Sequence, residues 1–177
     1  MRAVILEELQ LYQDDLNGHD ITTNSFFYHG KMLIKNRVDE NTASQRIAER
    51  LRLRLENRQV IVNRENYMKD DKRCDMVCSK LINGKRKLLP IEVKGQWHKE
   101  VYSAFENQLE RLYTIHPDSD GQYLVLWFGA DEKVAGIKSH GIHNAEALRI
   151  QIQEKMSEAL RSRIDVFVLD LSVSPDK

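Results

Sequence analysis

The stretch Asp75-Met76-Val77-Cys78-Ser79-Lys80-Leu81-Ile82-Asn83-Gly84-Lys85-Arg86-Lys87-Leu88-Leu89-Pro90-Ile91-Glu92-Val93-Lys94 decides the fold. Asp75 to Leu81 reads as one strand and Leu88 to Lys94 as the next. Between them Asn83-Gly84 is a strong hairpin signal, because the tight turns that match strand twist need positive φ at both central residues. Pro90 has no N–H to donate, so its place near the middle of the second strand predicts an irregularity or an exposed edge. Side chains alternate along a strand, which puts Ile91 and Val93 into an apolar layer and Glu92 and Lys94 together on the other face. Pairing across the hairpin brings Asp75 beside Glu92. Two carboxylates and one ammonium can then converge near the sheet surface.

Moving outward from this hairpin, Gln59 to Asn66 contains the β-branched run Val60-Ile61-Val62 and predicts a buried strand, followed by a charged connection from Lys69 to Arg73. Before it, Asn41 to Glu56 lacks glycine and proline, and Ala43, Ile47, Leu51 and Leu55 recur at helical spacing. Asn41 or Thr42 would cap that helix, and Arg46, Arg50, Arg52 and Arg54 on its other faces are either solvated or in contact with phosphates. After the hairpin, Lys99 to Ile115 predicts a helix through Val101, Phe105, Leu109, Leu112 and Tyr113, stopping before His116-Pro117. A strand follows at Tyr123 to Phe128, a helix at Asn144 to Ser162 with the stripe Leu148, Ile152, Met156 and Leu160, and a last strand at Ile164 to Leu171. Residues 1 to 38 read as a cover on the core. In that cover Val4, Ile5, Leu6, Leu9 and Leu16 form a short amphipathic helix, Gly18 to Ser25 is turn-like, and Phe26, Phe27, Met32, Leu33 and Ile34 cluster. Helix, three strands with a hairpin, helix, strand, helix, strand describes an α/β domain with a mixed central β-sheet flanked by helices.

The chain has 177 residues, 41% of them hydrophobic, which suits one well-filled core and is short for two ordinary domains. Lysine plus arginine and aspartate plus glutamate both count 27, which removes the argument that a large positive excess makes a nucleic-acid binder. Local patches remain, such as Lys85, Arg86 and Lys87 in the hairpin, which are either phosphate contacts or a solvated turn. The longest apolar run lies around Tyr123 to Phe128, and Glu7, Glu8, Asp14 and Asp15 interrupt any candidate signal peptide, so the expected location is cytoplasmic. The spacing of Cys74 and Cys78 fits neither a C-x-x-C redox pair nor half a zinc site, and both are expected to be reduced and structural. His140 and His143 flank Gly141 in a predicted turn, where capping or solvation outweighs metal binding. No phosphate-binding G-x-x-x-x-G-K-S/T motif occurs.

On the residues Asp75 in Arg73-Cys74-Asp75-Met76, the strand Ile91-Glu92-Val93-Lys94 and Gln108 in the following helix, the chain resembles the PD-(D/E)xK nuclease superfamily, the restriction-endonuclease-like fold. The resemblance covers roughly Glu40 to Phe128 and implies a nuclease-like domain over 39–171, with 1–38 as an extension and 172–177 as a polar tail. The family's first acid maps to Asp75, its second to Glu92 and its lysine to Lys94; Asp75 lacks the proline of the family's name. An additional acid commonly comes from the first helix. Glu40 lies three residues before Ala43 and seven before Ile47, toward the inward stripe, whereas Glu49 is rotated from Ile47 by roughly 200 degrees, so Glu40 is favoured. Gln108 to Tyr113 is similar to the glutamine-tyrosine signature of the RecB-like branch. The tyrosine stands five positions after the glutamine instead of four, Leu112 holds the usual place, and Tyr113 is either catalytic or core.

The resemblance implies Mg2+-dependent phosphodiester hydrolysis, with Mn2+ as a substitute in assays. Asp75 and Glu92 would hold one or two ions, and Glu40 would help directly or through water. Lys94 would orient or deprotonate the attacking water or meet charge developing on phosphate, and Gln108 would position Lys94, water or a phosphate. The implied substrate is nucleic acid, DNA ahead of RNA, cut by an endonuclease of restriction, defence, repair or mobile-element biology. A homodimer, a partner or a fused module would supply targeting. The rival readings are an inactive nucleic-acid-binding or protein-interaction module of the same fold, or a structural domain in which Glu92 and Lys94 form a surface pair. Around the site, Glu65 is a backup acid or a solvated strand end, and Trp97 and His98 either meet nucleic acid or pack against the next helix. Asp118 to Asp120 is a loop cap.

Overall fold

The computed structural model describes residues 1–18, 25–29, 37–67, 73–113, 120–130 and 141–172. Expectations for Met32, Leu33, Ile34, the connection at 69–72, His116, Pro117, Asp118 and His140 fall outside these residues, as do those for the side chains of Glu65 and Tyr113. The elements are helix α1 (Arg2–Asn17), helix α2 (Glu40–Leu55), strands β1 (Ile61–Tyr67), β2 (Arg73–Ile82) and β3 (Lys85–Gly95), a wide π-type helix (Phe105–Tyr113), strand β4 (Gly121–Trp127), helices α3 (Ala145–Lys155) and α4 (Glu158–Arg163), and strand β5 (Ile164–Asp170). The five strands form one sheet in the order β1-β2-β3-β4-β5, antiparallel from β1 to β3 and parallel from β3 to β5.

Strand alternation splits the core into two layers. On one face Ile91, Val93, Leu124 and Leu126 pack with Ile47, Leu51 and Leu55 of α2 and Ile5, Leu9 and Leu16 of α1. On the other face Val77, Tyr123, Val125 and Val168 pack with Phe105 and Leu109 of the wide helix and Leu148 and Ile152 of α3. The amphipathic N-terminal helix thus shares the apolar layer of α2. Three of the four arginines of α2 have structural partners: Arg54 bonds Glu8 and Asp15 of α1 at 2.8 and 2.9 Å, Arg50 bonds Asp15 at 2.5 Å, and Arg52 donates to Val62 O at 3.3 Å.

The hairpin turns as its sequence dictates, with Asn83 and Gly84 at φ of 50° and 73°. Pro90 stands at a strand edge on its β4 side, as expected, although its ring is buried. Its missing donor is tolerated because β3 pairs with β2 from Lys85 onward but with β4 only from Ile91, so at Pro90 one side of the strand has no ladder to break.

Three local expectations need correction. The cap of α2 is Asp39, whose carboxylate accepts the Thr42 N–H at 3.0 Å and the Thr42 hydroxyl at 2.6 Å; neither Asn41 nor Thr42 is the cap. The helix expected from Lys99 begins at Phe105, after turns closed by the bonds His98 N–H to Gly95 O and Val101 N–H to His98 O. The long helix expected from Asn144 to Ser162 breaks at Met156, which is extended, and Ser157 caps α4 by accepting the Leu160 N–H. Cys74 and Cys78 are free and buried, and burial pushes the Cys78 thiol up to about 12. Among the described residues no helix is long and apolar enough to cross a membrane.

Candidate active site

The site forms at the end of β3, where the sheet changes from antiparallel to parallel. The ladder between β2 and β3 reaches Met76 and Ile91; one step further, the Asp75 carboxylate takes over, with Oδ2 accepting the Val93 N–H at 2.8 Å. The aspartate is therefore bonded to the backbone that separates Glu92 from Lys94. Cys74 beside it turns its thiol to Met76 O at 3.0 Å and Ile91 O at 3.5 Å. Burial, then the Glu92 and Asp75 charges, push that thiol far up, which keeps it protonated.

Glu92 and Lys94 lie on the face opposite Ile91 and Val93, as strand alternation requires, and are only 2% and 6% exposed. Lys94 Nζ donates to Glu92 Oε1 at 2.5 Å and to Val93 O at 3.2 Å. Glu40, in the first turn of α2, closes the cluster: Oε2 accepts the Gly95 N–H at 2.7 Å and Oε1 lies 3.6 Å from Lys94 Nζ. Glu49 is exposed on α2 and accepts from Gln45 at 3.0 Å, away from this cluster. Glycine is needed at position 95, since a Cβ there would sit 2.3 Å from the Trp97 ring.

Charge is crowded here. Burial first, then the charge of Asp75, raises the Glu92 carboxyl from 4.5 to about 8 against the opposing pull of Lys94. Burial alone would lower Lys94, but Glu92, Glu40 and Asp75 outweigh it, and the ammonium is held above its ordinary value. Among the described residues Glu92 Oε2 is buried and has no hydrogen-bond partner, a state that costs about 1–3 kcal/mol or more for a charged group. Among the described residues no group of three or more His, Cys, Asp or Glu side chains is arranged to hold a metal ion.

The Gln108 amide donates to Glu100 Oε2 at 3.0 Å, in the segment between β3 and the wide helix. The π-type winding bonds residue i to i+5, so the backbones of Gln108 and Tyr113 stand one turn apart at the unusual five-residue spacing.

Three residues escaped the sequence reading. Tyr123, opposite Glu92 in the β3–β4 register, is fully buried and donates its hydroxyl to Val101 O at 2.8 Å. Burial, then the charges of Glu92, Glu40 and Glu100, hold that phenol well above its ordinary range. Gln96 is buried, accepts the Phe128 N–H at 2.5 Å and donates to Gly129 O at 2.8 Å, locking the end of β4 beside the site. Glu100 is the third. Only Gln96 left a signal, a polar residue one step beyond the Glu-x-Lys-Gly run. Trp97 packs on Phe128, with ring centroids 5.6 Å apart, and beneath the Arg37 guanidinium, instead of against the next helix.

The chain matches no family model, no curated protein and no solved structure.

Proposed function

We propose that the chain is a divalent-metal-dependent nuclease of the PD-(D/E)xK type on a restriction-endonuclease-like core, with DNA as its substrate ahead of RNA. The observation that carries this reading is Glu92: a buried carboxylate beside Asp75 and Glu40, with one oxygen on Lys94 and the other without a hydrogen-bond partner among the described residues. Like charges held together in a poorly solvated place call for a cation or a proton to offset their repulsion.

The donor chemistry fits Mg2+ or Mn2+, because every acidic group at the site offers hard oxygen and both thiols are protonated and turned to backbone carbonyls or buried. Mg2+ is ordinarily held by one or two carboxylates plus water and substrate phosphates. Asp75 and Glu92 would be the protein ligands, with Glu40 assisting through water while it holds the Gly95 N–H. When bound, the ion supplies Lewis-acid polarisation of a phosphoryl oxygen and a more acidic water. Lys94 keeps a fixed ammonium beside the reacting group, where it orients the attacking water and meets charge developing on phosphate. Gln108 acts one step removed, by fixing Glu100 and the chain leaving β3. Restriction, defence, repair and mobile-element roles all use this chemistry, and a homodimer, a partner or a fused module would supply the target.

The test is cleavage of supercoiled, linear duplex and single-stranded DNA, and of RNA, with Mg2+, Mn2+ or chelator. The wild type is compared with Asp75→Ala, Glu92→Ala and Lys94→Ala variants shown to be folded. Divalent-ion-dependent products that all three variants lose are expected. Wild-type cleavage by the three variants would remove this site, and duplex binding without turnover would favour a non-catalytic nucleic-acid-binding module.

A further inference from the structure

The β2–β3 hairpin reaches past the rest of the sheet. β1 pairs with β2 only as far as Ser79, and β4 pairs with β3 only from Ile91, so among the described residues 80–90 stand as a two-stranded ribbon without a third strand on either side. Four cations, Lys80, Lys85, Arg86 and Lys87, are gathered on this ribbon. Residues 83–88 are all exposed, and Lys80 is half-buried.

Six arginines elsewhere are neutralised in place: Arg2, Arg50, Arg54, Arg58, Arg149 and Arg163 each have a carboxylate partner. On the ribbon, among the described residues, Arg86 donates to Ser79 Oγ at 3.4 Å and none of the four cations has a carboxylate partner. Lys80 stands directly opposite Lys87 in the register, and Lys85 shares their face two residues away. Like charges directly opposite across a ladder destabilise it. A ribbon that keeps this arrangement in a chain of zero net charge has a polyanion as its natural complement.

We propose that the β2–β3 hairpin is a phosphate-gripping arm for a nucleic-acid duplex, holding it to one side of the catalytic carboxylates; this rests on the nuclease reading above. The geometry sets its reach. Arg86, on the same face of β3 as Glu92, precedes it by six residues, and Lys87 and Lys85, on the opposite face, by five and seven, which at ~3.3 Å per residue spans about 17 to 23 Å along the strand. At about 3.4 Å per step of one strand, the arm meets the backbone roughly 5–7 base pairs from the cut. A duplex is indicated over a single strand because the ribbon carries no aromatic side chain between Ser79 and Pro90, and binding of single strands relies on bases stacked on aromatic rings.

The decisive experiment is equilibrium binding of the full chain to a fluorescent 20-base-pair duplex in chelator, across a salt series. The wild type is compared with a Lys85→Gln/Arg86→Gln/Lys87→Gln variant, all three positions being exposed. Each released phosphate contact contributes about 0.9 to the slope of log affinity against log salt, so the variant's slope should be shallower by about 2.7. Over a fourfold rise in salt, it should lose about 40-fold less affinity than the wild type. In Mg2+ the variant should cleave duplexes too short to reach the arm as fast as the wild type, and long ones more slowly. An unchanged slope overturns the arm and leaves the catalytic reading standing. A wild type that binds no duplex, or binds a single strand equally with the same loss of slope, also overturns it. Loss of the catalytic reading shows separately, as long duplexes bound through the arm and never cut.

Discussion

In the metal-free protein, stability should fall as pH rises through neutrality, and Glu92 should be the cause. The group is buried, one oxygen has no hydrogen-bond partner among the described residues, and its carboxyl sits at about 8 in the folded chain against 4.5 when solvated. A carboxyl raised by folding binds its proton more tightly in the native state. Its contribution is therefore full below the unfolded value, near 4.5, and is lost as pH climbs through about 8. Each unit of difference corresponds to about 1.4 kcal/mol, which puts the loss on the order of a few kcal/mol between pH 5 and pH 9, a large share of a small domain's stability. Asp39 is lowered by the Thr42 hydroxyl and N–H, so its contribution disappears only in acid, below this window. The assay is urea unfolding at half-unit intervals from pH 5.5 to 9 in chelator, for wild type and Glu92→Gln. The wild-type curve should slope downward where the variant's stays flatter, and saturating Mg2+ should flatten the wild type alone, because a ligand bound only to the native state adds stability. Parallel curves for the two proteins would refute the reasoning.

Other consequences are open to simpler measurements. Arg54→Ala removes partners from Glu8, which is nearly buried, and from Asp15; urea unfolding should show a loss of about 1–3 kcal/mol with cleavage per folded molecule unchanged. Gly95→Ala would drive a Cβ into the Trp97 ring and shift the N–H that Glu40 accepts; it should cost about 1–3 kcal/mol of stability and reduce cleavage beyond what unfolding explains. Gln96→Ala orphans the buried Phe128 N–H and frees the half-buried Gly129 O; a thermal unfolding midpoint several degrees lower is expected, from a penalty of about 1–3 kcal/mol for the Phe128 N–H left unpaired.

What the sequence made legible follows from how local each cause is. The hairpin was readable because Asn83-Gly84 fixes its turn within two residues, and that turn places Asp75 one strand away from Glu92. Glu40 was readable because its offset from Ala43 and Ile47 fixes its side of α2. The width and the later start of the wide helix were not legible, because a four-residue interval such as Phe105 to Leu109 fits an α-helix and a wider winding about equally well. The break at Met156 had a local sign in Ser157, a capping residue placed before an acid. The partnership of Gln108 with Glu100 and the position of Tyr123 opposite Glu92 depend on contacts between distant segments, which periodicity does not encode. The burial of Pro90 likewise depends on where β4 begins to pair.

The central claim is that Glu92, with Asp75 and Lys94, forms a divalent-ion site for phosphodiester hydrolysis. Its most direct test is the rate of nicking of supercoiled DNA in Mg2+ at pH 8 by wild type and by Glu92→Gln, which keeps the shape of the side chain and removes its charge. The account predicts nicking by the wild type that chelator abolishes, and a variant that remains folded and does not nick. Nicking by the variant at the wild-type rate would contradict it.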